Sequence, residues 1–259
     1  MNTHASVRTV VLLALRTARG MTRKPELVLT PIAFAAVLSL VNLGALHSAS
    51  RLPGGPGDTP GFAFFLPCMA VQLVTVGATN HALDLAEDLD NGFHSRMRLT
   101  PVPRPLLLTG LLAASVVVDA LIALATVAVL GPLTGLGMTP AGFAGFALLL
   151  LVYATIANAL FTVLAFRTRS ATALQYVFPL FLLALFTSSG FFSDALMSDW
   201  FRALVDANPL TELIDELRAA LLTGLDAGSY GRVLGAAGLA AVVALTGAAH
   251  SLARGRSQA

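Results

Sequence analysis

A chain of 259 residues that is 56% hydrophobic and only 12% charged, with a mean hydropathy of +0.79, departs from ordinary soluble domains and reads as a membrane protein. The net charge of +2 matters less than where the charges fall, and the single cysteine, Cys68, excludes an intrachain disulfide.

Residues 1–26 form a basic lead-in with no signal-peptide core or cleavage site. Arg8, Arg16, Arg19 and Arg23 fall within about 80° of arc at 100° per residue. That suits an amphipathic helix in the interface with its arginines toward lipid phosphates, although Leu12 and Leu15 share the arc and a plain topology-fixing flank is an equal alternative. A bilayer core of about 30 Å needs about 20 apolar residues in a helix. Six such runs are expected, over 27–48, 62–83, 105–130, 142–166, 171–192 and 230–252.

The links carry the polarity. Gly- and Pro-rich turns follow the first and third spans. Between spans four and five stand only Arg167, Thr168 and Arg169, so those helices are expected to be tight antiparallel neighbours. With the N-terminus inside, the inner segments hold 12 of the 16 Lys and Arg residues, which places both termini in the cytoplasm. The excess of Arg over Lys, with abundant Ala and Gly, points to a bacterial plasma membrane protein from a GC-rich source.

The link between spans two and three, AEDLDNGFHSRMRLTPVPRP, concentrates Glu87, Asp88 and Asp90 before Arg96, Arg98 and Arg104. Asn91 can cap a short helix over about Gly92 to Leu99 that Thr100-Pro101 ends. Phe93 and Met97, at i and i+4, make one side apolar. A solvated loop with arginines near lipid phosphates explains the basic half. It gives no reason for three carboxylates in four residues, which a grooved protein partner would.

Asp119 stands alone in span three, a functional-site candidate by default at about +2.5–3.5 kcal/mol of insertion cost. It meets a cationic substrate, stabilises a conformational state, hydrogen-bonds a neighbouring helix or reaches an outer water pocket. Asn80, His81, Asn158 and Gln175 read as interhelical hydrogen-bonders, and Gly231 and Gly235 as a close-packing pair opening span six. Beyond span five, Asn208 caps a helix with Pro209 in its first position and Gly224 at its end. Leu210, Leu213, Ile214, Leu217 and Leu221 share one face, with Glu212, Asp215 and Glu216 opposite. This segment, within 193–229, is too charged to span and belongs at the outer interface, flanked by Trp200 and Tyr230.

Other chemistry finds no support. The sole lysine, Lys24, follows Arg23, so there is no phosphate-cradling GxxxxGK[ST]. The histidines are scattered, leaving no metal constellation. Ser188, Ser189 and His250 could in principle form a Ser/His pair, but small polar residues in a span usually serve packing.

Asn91-Gly92-Phe93, Arg96, Arg98, Pro101-Val102 and Arg104 resemble the cytoplasmic motif of type-2 ABC exporter permeases, particularly the daunorubicin-resistance class. A second resemblance lies in Trp200-Phe201-Arg202, Asn208-Pro209-Leu210-Thr211 and Arg218-Ala219-Ala220-Leu221-Leu222. The resemblance covers nearly the whole chain in order. It implies one all-α transmembrane domain over 1–259, paired with a second permease copy, homodimeric or heterodimeric. Two copies of a separate ABC ATPase would carry ATP and magnesium, so this chain is not itself expected to be an enzyme.

It also makes residues 84–104 a coupling segment, in which Glu87, Asp88, Asp90, Gly92, Phe93, Arg96, Met97, Arg98 and Arg104 meet the ATPase. The family's first acidic position there falls on any of the three acids. Asp119, Leu213, Ile214 and Leu217 are left as candidates for substrate contact or gating. The cargo is expected to be an amphipathic drug, antibiotic or lipid-like compound, or alternatively a lipid-linked polysaccharide. Outside transport, the alternatives are an intramembrane enzyme or an immunity or sensor protein. Membrane lipids are expected partners and nucleic acid is not.

Overall fold

The computed structural model describes residues 29, 32, 33, 36, 37, 41, 63–90, 104–133, 136–168, 170–191 and 197–222. Among these every regular element is helical: α1 (Leu66–Asp90), α2 (Arg104–Leu133), α3 (Pro140–Thr168), α4 (Ala171–Gln175), α5 (Val177–Phe186), α6 (Asp199–Asp206) and α7 (Pro209–Leu222). Two stretches, Gly110–Leu133 and Pro140–Thr168, are long and apolar enough to cross a membrane. At 1.5 Å per residue they reach about 36 and 43 Å, beyond the roughly 30 Å hydrocarbon core.

α1 is the central helix, packed against α2 on one side and α3 on another, with α4, α5 and α7 also touching it. This sheath explains its sequence. Leu66, Ala70, Val71, Val74 and Ala86 are wholly buried, so α1 tolerates Gln72, Thr75, Thr79, Asn80 and His81, which a lipid-facing helix would not. Two of the hydroxyls turn back onto the helix itself, Thr75 donating to Val71 O at 2.9 Å and Thr79 to Thr75 O at 2.8 Å. Gln72, 2% exposed, leaves its Nε2 without a hydrogen-bond partner.

The elements depart most from the expected ones in two places. α1 continues to Asp90 rather than stopping near residue 83. The stretch ALDLAEDLD contains neither Gly nor Pro, so the onset of charge ends the apolar run without ending the helix. The three acids of the link therefore ride on the last turns of α1.

Span five divides at Tyr176 into α4 and α5. Pro179, in the first turn of α5, cannot donate to the Gln175 carbonyl and its ring crowds that group. α3 runs to Thr168 and Ser170 caps α4, its side chain accepting from Ala173 N at 3.3 Å. Beyond that corner, however, α5 rests on α1 rather than lying along α3.

In the expected first span, residues 29, 32, 33, 36, 37 and 41 are helical. Ile32 and Ala36 pack on the core, whereas Leu29, Val37 and Val41 are exposed. The expected N-terminal interfacial helix, the segment 91–103 and the sixth span lie outside the described residues.

Candidate functional site: a mid-helix carboxylate and a capped helix end

Two polar constellations stand out against the apolar bundle. The first centres on Asp119, which is 2% exposed and lies 15 residues from Arg104 and 14 from Leu133, about 21 Å from either end of α2. Asn158 of α3 donates Nδ2 to Asp119 Oδ2 at 2.9 Å and also to Ala154 O at 3.0 Å. His81 of α1 places Nε2 3.2 Å from Asp119 Oδ1. Gly77 completes the niche, because a Cβ there would fall 2.2 Å from Asp119 Oδ1. Three helices thus meet on one carboxylate, as the interhelical reading of His81, Asn158 and Asp119 expects. Gln175, by contrast, is exposed.

The second constellation joins α7 to the ends of α1, α3 and α5. Ile214, Leu217, Ala220 and Leu221 are buried, and Leu210 and Leu213 pack partly buried against the same core. The expected apolar face is therefore real, with Ile214 and Leu217 at its centre and Leu213 at its edge. Burying the first two is worth about 1.5–3 kcal/mol each. Close approach depends on glycine: a Cβ on Gly142, in the first turn of α3, would lie 2.5 Å from the Ala220 carbonyl oxygen. Thr139 caps that turn, its Oγ1 accepting from Gly142 N at 3.0 Å.

The charged face of α7 is not simply solvated. Arg218, whose side chain is 14% exposed, donates Nη1 to Asp215 Oδ1 at 2.6 Å. It also donates Nη2 to Ser189 O at 3.0 Å and Nε to Phe64 O at 3.5 Å, and its Cζ stands 4.0 Å over the Phe64 ring. Ser189 donates to the same Asp215 oxygen at 2.7 Å. Beneath this lies Cys68, 1% exposed, its Sγ 2.7 Å from where a Cβ on Gly190 would stand.

At the other end of α7, Asn208 is the expected N-cap, its Oδ1 accepting from Leu210 N at 3.0 Å. Its Nδ2 meanwhile donates to Thr187 O at 2.9 Å, tying the cap to the last turn of α5. Thr211 Oγ1 reaches back to Val205 O at 2.7 Å, fixing α6 against α7. Asn208, Thr211 and Arg218, which carry the second family resemblance, are thus the residues that pin the α6–α7 pair.

Sequence reasoning missed the partners of Arg218 and Asp215 and the roles of Gly77 and Gly142. A basic residue one position beyond Leu217, bordering an apolar face, was the available signal for the bridge. Of the expected ATPase contacts, Glu87, Asp88 and Asp90 are exposed on the final turns of α1 and Arg104 opens α2. Gly92, Phe93, Arg96, Met97 and Arg98 lie outside the described residues. Ser188 and Ser189 bond to Leu185 O and Asp215, and their suggested partner His250 is likewise outside.

Apolar helices around polar groups held between them define an all-helical membrane protein. The chain belongs to the ABC-2 type transporter family, whose model matches residues 8–222. It is similar to the "Daunorubicin resistance ABC transporter permease protein DrrB1" of Streptomyces coeruleorubidus, at 28% identity over 193 residues, 72% of this chain. The match spans 64% of the length of that relative.

Proposed function

We propose that this chain is the membrane subunit of an ATP-driven exporter that moves an amphipathic drug-like, antibiotic or lipid-like compound outward across a bacterial plasma membrane. It works as a homodimer of six-span permeases, both termini cytoplasmic, with two copies of a separate ABC ATPase carrying ATP and magnesium. Membership of the ABC-2 type transporter family carries this reading, and the name of the drug-resistance relative supports the cargo class.

The exposed acids at the end of α1 support an ATPase contact on that side. Carboxylates at a helix C-terminus oppose the macrodipole by a few tenths of a kcal/mol each. An arginine- or lysine-bearing partner would reverse that penalty. In this arrangement Phe93 and Met97 fill an apolar groove of the ATPase while Arg96 and Arg98 pair with its acids. Phe93→Ala with Arg96→Glu is expected to weaken ATPase co-purification about thirtyfold, since interface aromatics and Arg commonly cost about 2 kcal/mol when removed. Unchanged co-purification and unchanged ATP-dependent drug accumulation in inverted vesicles would return the segment to a lipid-facing loop.

The orientation has its own test. In a Cys68→Ala background, cysteines at Gly55 and Asp226 should react with an impermeant maleimide added to intact cells, and one at Ser257 should not. Labelling of Ser257 alone would invert the topology and the outward direction with it.

A further inference from the structure

The geometry points to the Asp119 niche as a binding site for the protonated amine of an amphipathic molecule, entered along one face of α1 from the Asp90 end. The inference rests on the exporter reading and gives its cargo a charge.

A carboxylate is not needed to join three helices. Neutral amides and hydroxyls do so at lower cost, and an ionisable residue in the middle of a span is by default a candidate for a ligand or ion site. Here the carboxylate has one amide donor and one imidazole donor. Each carboxylate oxygen has a lone pair left for a further donor. Asp119 is closed off at 2% exposure, but the His81 side chain beside it is 17% exposed. The imidazole is therefore the rim between the buried charge and the surface.

The second observation is the shape of α1 itself. On one arc of about 120° at 100° per residue, Leu66, Met69, Ala70 and Leu73 are buried. Below them on the same arc the surface opens: Gly77, Asn80 and His81 are half-buried, and Asp84, Glu87 and Asp88 are exposed. Past Gly77 the open part is polar at every one of these positions, and it extends about 16 Å from Gly77 to Asp88. Lipid would penalise Asn80 and His81 on such a face, and Asp84 stands at its cytoplasmic mouth, so a cation entering from that end meets a carboxylate first and Asp119 last. The apolar upper half closes the route beyond, so the route ends at the niche. An amine with an apolar body matches both the buried carboxylate and the apolar helices α2 and α3 packed on α1.

The test uses the full-length protein in phosphatidylcholine nanodiscs, with dansylcadaverine, a primary amine on an apolar fluorophore, and its neutral N-acetyl derivative as probes. The wild type is expected to bind the amine at least about tenfold more tightly, the order of one charge-assisted hydrogen bond away from water. Asp119→Asn keeps the shape and an acceptor for His81, and should bring the ratio of the two affinities close to one while leaving the acetylated probe unaffected. Asp84→Asn, at the mouth, should lower the ratio less.

Equal affinities in the wild type, or a preference that survives Asp119→Asn, would overturn the site. So would an Asp119→Asn protein whose only change is its monomer–dimer balance, which would make this face a contact between two copies. ATP hydrolysis by the co-purified ATPase is read separately: a preserved charge preference without coupled hydrolysis would keep the site and remove the exporter reading.

Discussion

Ile214→Asp combined with Leu217→Asp is expected to lift α7 from the bundle and expose Cys68 to a water-soluble maleimide. Both side chains are wholly buried, and Ile214 Cδ1 lies 3.2 Å from a Cβ placed on Gly190, directly beside the Cys68 sulfur. The loss is at least the transfer term, about 1.5–3 kcal/mol for each side chain, and a carboxylate in either seat adds a charge with no partner. A combined cost of about 4 kcal/mol or more would raise the lifted fraction by roughly a thousandfold. Cys68 is the only cysteine, so its labelling rate in membranes reads that fraction directly. Changing Glu212 and Glu216 to Gln should leave the rate near that of the wild type. If instead the double aspartate variant inserts normally and Cys68 stays protected, α7 is not the cover that the buried face implies.

Arg218→Met should loosen the same cover by a different route. The substitution keeps much of the side-chain stem but removes donors to Ser189 O, Phe64 O and Asp215, together with the guanidinium over the Phe64 ring. The ion pair itself is worth little, because the Asp215 side chain is 49% exposed. The larger loss is at the carbonyls of Ser189 and Phe64, where hydrogen bonds from a charged donor contribute about 1.5–3 kcal/mol, and in the cation–π contact, about 0.5–2 kcal/mol.

A net cost of about 2–3 kcal/mol predicts Cys68 labelling faster by roughly thirty- to a hundredfold. Asp215→Asn, which retains an oxygen for Ser189, should change it by less than about fivefold. Equal effects of the two substitutions would show that the exposed ion pair, rather than the carbonyl contacts, holds α7. In the exporter reading this cover stands at the outer mouth, and Cys68 labelling that rises during ATP turnover would identify it as the moving gate.

Much of this architecture is local and therefore visible in one dimension. The apolar stretches around 105–130 and 142–166 became α2 and α3 with one to three residues added at each end. That follows because a predominantly apolar run of such length has no other stable form in a bilayer. Asn208-Pro209 marked the start of α7 through cap chemistry confined to three residues. The spacing of Ile214, Leu217 and Leu221 marked its buried face because helical period is a property of one element. Where a sequence signal was read as a boundary too early, as at residue 83, it was hydropathy that changed while helix propensity did not.

Only the tertiary structure decided which distant groups share a site. Asp119 meets partners 38 and 39 residues away on two other helices, and Arg218 reaches a carbonyl 154 residues away. Neither register follows from helical period, because sliding one apolar helix along another by a turn preserves every local pattern. It is set where a glycine lets a neighbour come close enough to lock, the Asp119 side chain at Gly77 and the Ala220 backbone at Gly142. A missing side chain has no periodicity to betray it, so its meaning emerges only when the neighbour that fills the space is in place.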